Sequence, residues 1–110
     1  KYQIIVEDAR NNEPIDESKL GDYDTAVVKH DLPYYIAAEL DPSNVSQTGE
    51  QGFVVGDKQK WGGYKNVHLN PGHQYKIRIR TLVVKDEEMK SFYLNSEQIS
   101  RVLPSISLFI

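Results

Sequence analysis

Residues 69–80 read LNPGHQYKIRIR and decide the fold class of this chain. A Pro71-Gly72 turn comes first, and Tyr75 then opens a strict alternation of apolar and charged residues, which is the period of a half-buried strand. A tyrosine at this place is typical of a tyrosine corner, in which the phenol hydroxyl bonds to the backbone a few residues upstream. The stretch therefore predicts an antiparallel all-β sandwich, with Tyr75 at the corner and Leu69 packed into the core.

The composition fits one such domain and excludes several functional classes. The chain has 110 residues, enough for a single core, and its net charge is −3, whereas nucleic-acid binders have a strongly basic surface. It contains no cysteine, so thiol nucleophiles, thiolate zinc sites and disulfides are excluded. No nucleophile-elbow motif is present either. We therefore expect a protein without catalytic activity.

Further strands are indicated by short β-rich runs between turn signals. After the long strand, a charged hairpin tip at residues 85–88 predicts that the chain returns as its partner strand. The predicted strands cover residues 2–6, 33–40, 53–55, 74–84 and 91–103, and the side chains expected to face the core are Tyr2, Ile4, Val6, Ile36, Ile77 and Ile79.

Residues 8–31 form a polar, acidic segment, and we expect a long surface loop there. One helical turn is expected near residues 16–20, and residues 25–28 are expected to be a short strand or part of the loop. Four acidic side chains suit either a solvated loop or a calcium site, although their spacing matches no EF-hand. These acids are Asp16, Glu17, Asp22 and Asp24.

The sequence closes with an apolar tail at residues 104–110, far shorter than the ~20 residues that a membrane-spanning helix needs. The apolar run at residues 2–6 is too short for a signal peptide. The chain is therefore expected to be a single domain over residues 1–110, excised from a longer protein.

Two groups of side chains allow both a structural and a functional interpretation. Phe53, Trp61 and Tyr64 either cap the core or form an exposed aromatic patch for a partner. His68 and His73 flank the predicted corner, but the histidine spacing is not that of a helical zinc site. We expect Trp61 to be structural, and we expect no metal and no other cofactor.

Three segments, taken in order, resemble a known family. They read PYYIAAEL at 33–40, FVVGD at 53–57 and GYKNVHLNPGHQY at 63–75. In these segments the chain is similar to the membrane-proximal fibronectin type III domain of receptor-type protein tyrosine phosphatases, whose pattern is YxAAxL, FxxGD and GxxNxxLxPxxxY. The resemblance implies an immunoglobulin-like antiparallel sandwich. It also implies that the first two strands of such a sandwich are missing, because the run at 2–6 resembles the third strand.

The resemblance implies a non-catalytic module on the extracellular face of the plasma membrane, in the ectodomain of a single-pass receptor. Such a module spaces and orients its neighbours. Its expected partners are the neighbouring ectodomain modules, with an extracellular protein ligand or a sulfated glycan as further partners and no nucleic acid. It would meet the membrane only through the parent chain. Asn44 begins the sequon Asn44-Val45-Ser46, and we expect it to be glycosylated.

A competing interpretation makes this domain itself a binder of a glycosaminoglycan or another ligand. Lys76, Arg78 and Arg80 project from one face of an extended strand, and sulfated glycans are bound by such arrays through charge-assisted contacts. Alternatively, these residues form the wet face of a two-faced sheet and pair with glutamates across the strand. The acidic balance of the chain favours the paired arrangement.

Overall fold

A four-stranded antiparallel sheet forms the larger layer of the structure. The computed structural model describes residues 1–41, 52–103 and 105–109. None of the helices in this part of the chain is long and apolar enough to cross a membrane. The elements in chain order are β1 (Tyr2–Asp8), a 3₁₀ turn (Glu17–Lys19), a π-helical segment (Asp24–Lys29), β2 (Tyr34–Leu40), β3 (Phe53–Val55), β4 (Lys60–Trp61), β5 (Tyr64–Lys65), β6 (Tyr75–Lys85), β7 (Glu88–Tyr93), α1 (Ser96–Val102) and β8 (Ile106–Leu108).

The sheet has the strand order β2-β1-β6-β7, so the first strand of the chain lies in its interior. β6 pairs with β1 on one side, where Ile4 is opposite Ile79, and with β7 on the other. The alternation in β6 puts Ile77 and Ile79 on the core face and the basic residues on the opposite face, called the outer face below. The prediction of an antiparallel all-β sandwich is confirmed.

The second layer is formed, in the described residues, by β3 and β8, which pair in parallel. Phe53 and Val55 of β3 are fully buried in the main core. The tail predicted at residues 104–110 supplies β8, and the amide of Phe109 donates to the carbonyl of Val55 at 2.9 Å. The described part of the tail is therefore built into the sandwich.

A bulge between β1 and β2 changes the expected core. Ile4 pairs with Ala38 and Ile5 pairs with Ile36, so Ala37 is the extra residue on β2. Ala37 and Ala38 consequently both pack in the main core, while Ile36 lies in a second buried cluster on the outer face with Ile5. The prediction that Ile36 faces the same core as Ile4 is wrong, because the bulge shifts the alternation by one residue.

The connection between β1 and β2 packs against the sheet. Ile15 and Leu20 contact the outer-face cluster that contains Ile5. Ala26 in the π-helical segment is fully buried in the main core. The segment at residues 8–31 is therefore anchored to the sheet by a few apolar side chains, while most of its residues are exposed or half-buried.

An aspartate side chain lies before each of the two short helical segments of this connection and accepts a hydrogen bond from the first turn. Asp16 Oδ1 accepts a hydrogen bond from the amide of Ser18 at 3.0 Å, and Asp22 Oδ1 accepts one from the amide of Thr25 at 2.9 Å. The helical turn expected near Asp16 is present. Residues 25–28, expected as strand or loop, are π-helical instead, and the Asp22 side chain satisfies an amide in the first turn.

The partner strand of β6 is shorter than the residues 91–103 predicted for it. β7 begins earlier, at Glu88, and ends at Tyr93, after which α1 follows. Asn95 and Gln98 form a reciprocal capping box at the start of α1. The strand prediction is wrong beyond Tyr93, and the Asn-x-x-Gln spacing is the sequence signal that indicates the helix.

A small hairpin of β4 and β5 packs against β2. Its turn consists of Gly62 and Gly63, with φ angles of 62° and 86°. A Cβ on Gly62 would lie 2.4 Å from the carbonyl oxygen of Glu39 in β2, whereas a Cβ on Gly63 would meet nothing within 4 Å. The close approach of two backbones therefore requires glycine at position 62.

These two glycines give a matched test of the packing. We expect Gly63→Ala to lower the free energy of unfolding by about 1 kcal/mol, the cost of a side chain at positive φ. Gly62→Ala should cost about 2 kcal/mol or more, because the Glu39 carbonyl must also move. Urea unfolding followed by circular dichroism measures both. Equal costs for the two variants would contradict the contact between the hairpin and β2.

Candidate functional site

The three cations predicted as a ligand site lie on the outer face of β6. Lys76, Arg78 and Arg80 share this face, since every second residue of a strand points the same way. In the register with β1, Lys76 is opposite Glu7 and Arg80 is opposite Gln3. The three cations therefore lie on one face, as predicted. The neighbouring acids determine how much of their positive charge is available to a ligand.

Glu7 is the buried acid of the outer face. Its side chain is 2% exposed, and its Oε1 accepts a hydrogen bond from Nε of Arg78 at 2.9 Å. Its Oε2 accepts a second hydrogen bond, from Nδ2 of Asn11, at 2.7 Å. A carboxylate is stable at this depth when it is paired and hydrogen-bonded. The Arg78 guanidinium is therefore the structural partner of Glu7.

Arg80 is the more deeply buried of the two arginines, with a side chain that is 11% exposed. Its Nε donates to Oε1 of Gln3 at 2.8 Å, and its terminal nitrogen lies 3.6 Å from Oε1 of Glu17. Glu17 belongs to the 3₁₀ turn, so Arg80 ties the β1–β2 connection to the sheet. The polar face, as the term is used below, consists of Gln3, Glu7, Glu17, Arg78 and Arg80.

Lys76 differs from the two arginines. It is exposed, and its ammonium has no ion pair or side-chain hydrogen bond within the part of the chain that the structure describes. An anion that approached this face would meet one solvated ammonium and two guanidiniums already in contact with carboxylates. The glycan-binding interpretation of Lys76, Arg78 and Arg80 stays a prediction.

Tyr75 has the hydrogen bond of a tyrosine corner. The amide of Asn70 donates to the Tyr75 hydroxyl at 2.9 Å. Leu69 is buried in the main core, while Pro71 and Gly72 are exposed at the turn, where Gly72 has a φ of 82°. The bond fixes the chain on both sides of this turn, and β6 starts at the tyrosine itself.

A second set of polar contacts is centred on Asn66, a residue not singled out in the sequence. Asn66 is fully buried; its Oδ1 accepts from the amide of Gly56 at 2.8 Å, and its Nδ2 donates to the carbonyl of Val54 at 2.8 Å. Its Nδ2 also contacts Asp57 Oδ1 at 2.9 Å, and Asp57 Oδ2 accepts from the indole of Trp61 at 3.0 Å. One hydrogen-bonded unit is thus formed by three positions of the resembled pattern, Gly56, Asp57 and Asn66. The occurrence of all three in a sequence is the signal that predicts this unit.

The three aromatic residues left open in the sequence occupy packed positions. The rings of Phe53 and Trp61 meet edge-on, with centroids 5.2 Å apart. Trp61 packs against the main core, and Tyr64 packs against the outer-face cluster. Their arrangement is that of structural residues, and the indole nitrogen of Trp61 is occupied by Asp57.

A cavity of about 160 Å³ lies beside the corner. His68 and His73 both line it, together with Tyr23, Tyr35 and Tyr75. Burial raises the pKa of Tyr35, with a smaller contribution from the neighbouring tyrosines. Among the described residues, no group of three or more His, Asp or Glu side chains is arranged to hold a metal ion.

Two acids of the β1–β2 connection, Asp16 and Asp22, have local hydrogen-bond partners. Hydrogen bonds from Ser18 lower the pKa of Asp16, and hydrogen bonds from Thr25 lower the pKa of Asp22.

Asn44, the predicted glycosylation site, lies outside the described residues, so its glycosylation stays a prediction.

The fold and its contacts define the class of this protein. A sheet ordered β2-β1-β6-β7, with a tyrosine corner at the start of β6, belongs to the immunoglobulin-like sandwiches. Residues 1–103 match the family described as the receptor-type tyrosine-protein phosphatase U Fn3 domain. The chain belongs to this family of fibronectin type III domains. The predicted resemblance is confirmed.

A relative outside the phosphatases carries a similar segment. It is Wsck of Drosophila melanogaster, and its name describes it as a candidate inactive tyrosine-protein kinase. The two sequences are 38% identical over 72 residues, which cover 64% of this chain and 9% of Wsck. The similarity therefore concerns one module of a much larger protein.

The matched family consists of Fn3 domains of a receptor-type tyrosine phosphatase. An Fn3 domain is a non-catalytic module, so this chain is not the catalytic part of a receptor phosphatase. The lack of cysteine agrees with this, because the phosphatase nucleophile is a cysteine thiolate.

The corner can be tested by removing one hydroxyl. We expect Tyr75→Phe to lower the free energy of unfolding by about 1 kcal/mol, because the Asn70 amide loses its acceptor. Tyr64→Phe is the control, since the Tyr64 hydroxyl has no hydrogen bond among the described residues. Denaturant unfolding compares the two variants, and a Tyr75→Phe variant as stable as the parent would contradict the corner assignment.

The polar face can be tested by comparing a buried with an exposed ion pair. Glu7→Ala should cost about 2 kcal/mol of unfolding free energy, because it removes charge-assisted hydrogen bonds to Arg78 and Asn11. Glu97→Ala, which breaks the exposed pair with Arg101 on α1, should cost less than about 0.5 kcal/mol. If both variants unfold at the same urea concentration, Glu7 has no special structural role.

Proposed function

We propose that this chain is a spacer module in the extracellular part of a single-pass receptor, where it holds the neighbouring modules at a fixed separation and orientation. The observation that carries the proposal is the polar face. Arg78 and Arg80 bind the β1 strand and, through Glu17, the β1–β2 connection, so the long loop is braced against the sheet. A braced domain suits a spacer, because mobile segments have few such contacts.

We further propose that the parent receptor carries its tyrosine phosphatase on the other side of the membrane. The family supports this assignment, since it is named for a receptor-type phosphatase. Wsck carries a similar segment but is named as a kinase and not as a phosphatase. This supports a role for the module that does not depend on the enzyme in the same chain.

Exchange of this module within the full-length receptor tests the spacer role. A receptor in which an unrelated Fn3 domain replaces these 110 residues should reach the cell surface and bind its extracellular ligand as the parent does. Deletion of the module should weaken binding, because the neighbouring modules then change their separation. Loss of ligand binding after the exchange would instead show that this module holds the ligand.

The same receptor tests the extracellular placement. An epitope tag inserted at the exposed turn of Pro71 and Gly72 should be labelled on intact cells. Labelling that requires permeabilised cells would contradict the placement.

Heparin chromatography separates a spacer from a direct glycan binder. For a spacer, the isolated chain should elute at low salt, and Lys76→Gln should elute with the control Lys60→Gln. Lys76 is chosen because it is not a hydrogen-bond partner in the polar face, and glutamine is chosen because it places no like charge opposite Glu7. Salt-sensitive retention that Lys76→Gln weakens and Lys60→Gln preserves would favour the glycan-binding alternative.

A further inference from the structure

In the described part of the chain, the four-stranded sheet has one covered edge and one edge to which no further strand is paired. At β2, the β4–β5 hairpin spans both faces, with Trp61 packed against the main core and Tyr64 against the outer-face cluster. The amide of Ile36 in β2 also donates to the carbonyl of Gly21 at 2.8 Å. At the other edge, no described strand pairs with the free side of β7. An open edge is a template for pairing with another strand.

The backbone groups on this free side follow from the register. The amide of Leu94 donates to the carbonyl of Ile79 at 2.8 Å, so the even-numbered residues of β7 bond to β6. Met89, Ser91 and Tyr93 alternate with them and direct their N–H and C=O groups away from β6. Within the described ranges, none of these three amides donates to another backbone group. The edge therefore offers three donors and three acceptors in a row.

β7 lacks two of the features that protect an edge strand, since it contains no proline and pairs with β6 without a bulge. Three of its six side chains are apolar and accessible: Met89 is 65% exposed, Phe92 is 54% exposed, and Tyr93 is exposed as well. The protection that remains is charge, from Glu88 and Lys90, which have opposite signs. A second strand can therefore pair with this edge if it places no like charge opposite these two residues.

We propose that β7 pairs with β7 of a second copy of this chain, antiparallel and centred on Ser91. In this register Ser91 is opposite Ser91 of the second copy, and Met89 is opposite Tyr93. All three outward-facing residues of each copy then enter the ladder. If the two strands were instead centred on Met89 or on Tyr93, only one pair of outward-facing residues would be hydrogen-bonded. The neighbouring outward positions would then be Glu87, which lies in the hairpin turn, or Asn95, which caps α1.

The side chains of β7 are complementary to themselves in this register. On the outer face the Met89 thioether meets the Tyr93 ring, a favourable sulfur–aromatic contact. On the other face the Lys90 ammonium meets the Phe92 ring, a cation–π contact. No two like charges are opposite each other. This self-complementarity is the reason for assigning the edge to a second copy.

The pairing goes beyond the spacer role and does not depend on it. It would join two four-stranded sheets into one continuous sheet of eight strands and so place two receptors side by side. Failure of the module exchange in cells would leave the pairing untouched, because the pairing is a property of the folded chain.

Sedimentation velocity of the chain over a concentration series tests the pairing. We expect a monomer–dimer equilibrium, and we expect Ser91→Pro to weaken it on the order of tenfold or more, because each copy loses a ladder hydrogen bond. Proline is tolerated at an edge position whose N–H faces away from the neighbouring strand. Ser91→Ala is the matched control: it loses the hydroxyl contact with Glu17 but keeps the amide, and it should dimerise like the parent.

Hydrogen exchange at single amides tests the register without any variant. Protection of Met89, Ser91 and Tyr93 should rise with protein concentration, whereas Lys90 and Phe92 should be protected at every concentration by β6. A monomer throughout, a dimer that leaves the three outward amides unprotected, or a Ser91→Pro variant that folds and dimerises like Ser91→Ala would overturn the proposal. If Ser91→Pro does not fold, the exchange data on the parent chain decide the outcome.

Discussion

The burial of β1 on both of its faces is the constraint on which the rest of the structure depends. β1 lies between β2 and β6, and every residue from Gln3 to Glu7 is buried. The core side of the strand needs only apolar neighbours. The outer side carries a glutamine and a glutamate, whose polar atoms are costly to bury without partners. The arginines of β6 supply those partners, and the β1–β2 connection supplies the apolar cover over Ile5.

The charge pattern of β6 shows why a row of cations in a sequence is compatible both with ligand binding and with pairing to acids inside the domain. In the sequence, Lys76, Arg78 and Arg80 are equivalent members of one row. In the fold, the two arginines lie beside acceptors at the centre of the sheet, while the lysine stands at its exposed end. The residue types agree with this division, because a guanidinium is weakly hydrated and suits buried pairs, whereas an ammonium is strongly hydrated. The change from lysine to arginine along the strand was therefore an available signal for the polar face.

Elements with a regular period follow from the sequence, whereas a capping box and a bulge each override that period at one place. β6 and β2 follow from alternation and from β-rich composition between turn residues. The helix α1 was missed because the capping box of Asn95 and Gln98 outweighs the apolar content around it. Ile36 was assigned to the wrong core because one bulge moves all residues beyond it to the other face.

The sequence by itself determined the class of domain, the corner at Tyr75 and the absence of thiol chemistry, since each depends on residues close together in the chain or on composition alone. Only the tertiary structure decided which cations are paired with acids, that the long acidic segment is anchored to the sheet, and that no strand of the described residues pairs with the outer edge of β7. These features depend on contacts between distant residues: Glu7 and Arg78 are 71 positions apart. Such a contact forms only when the strand order of the sheet brings β1 beside β6, and the local pattern of neither strand specifies that order.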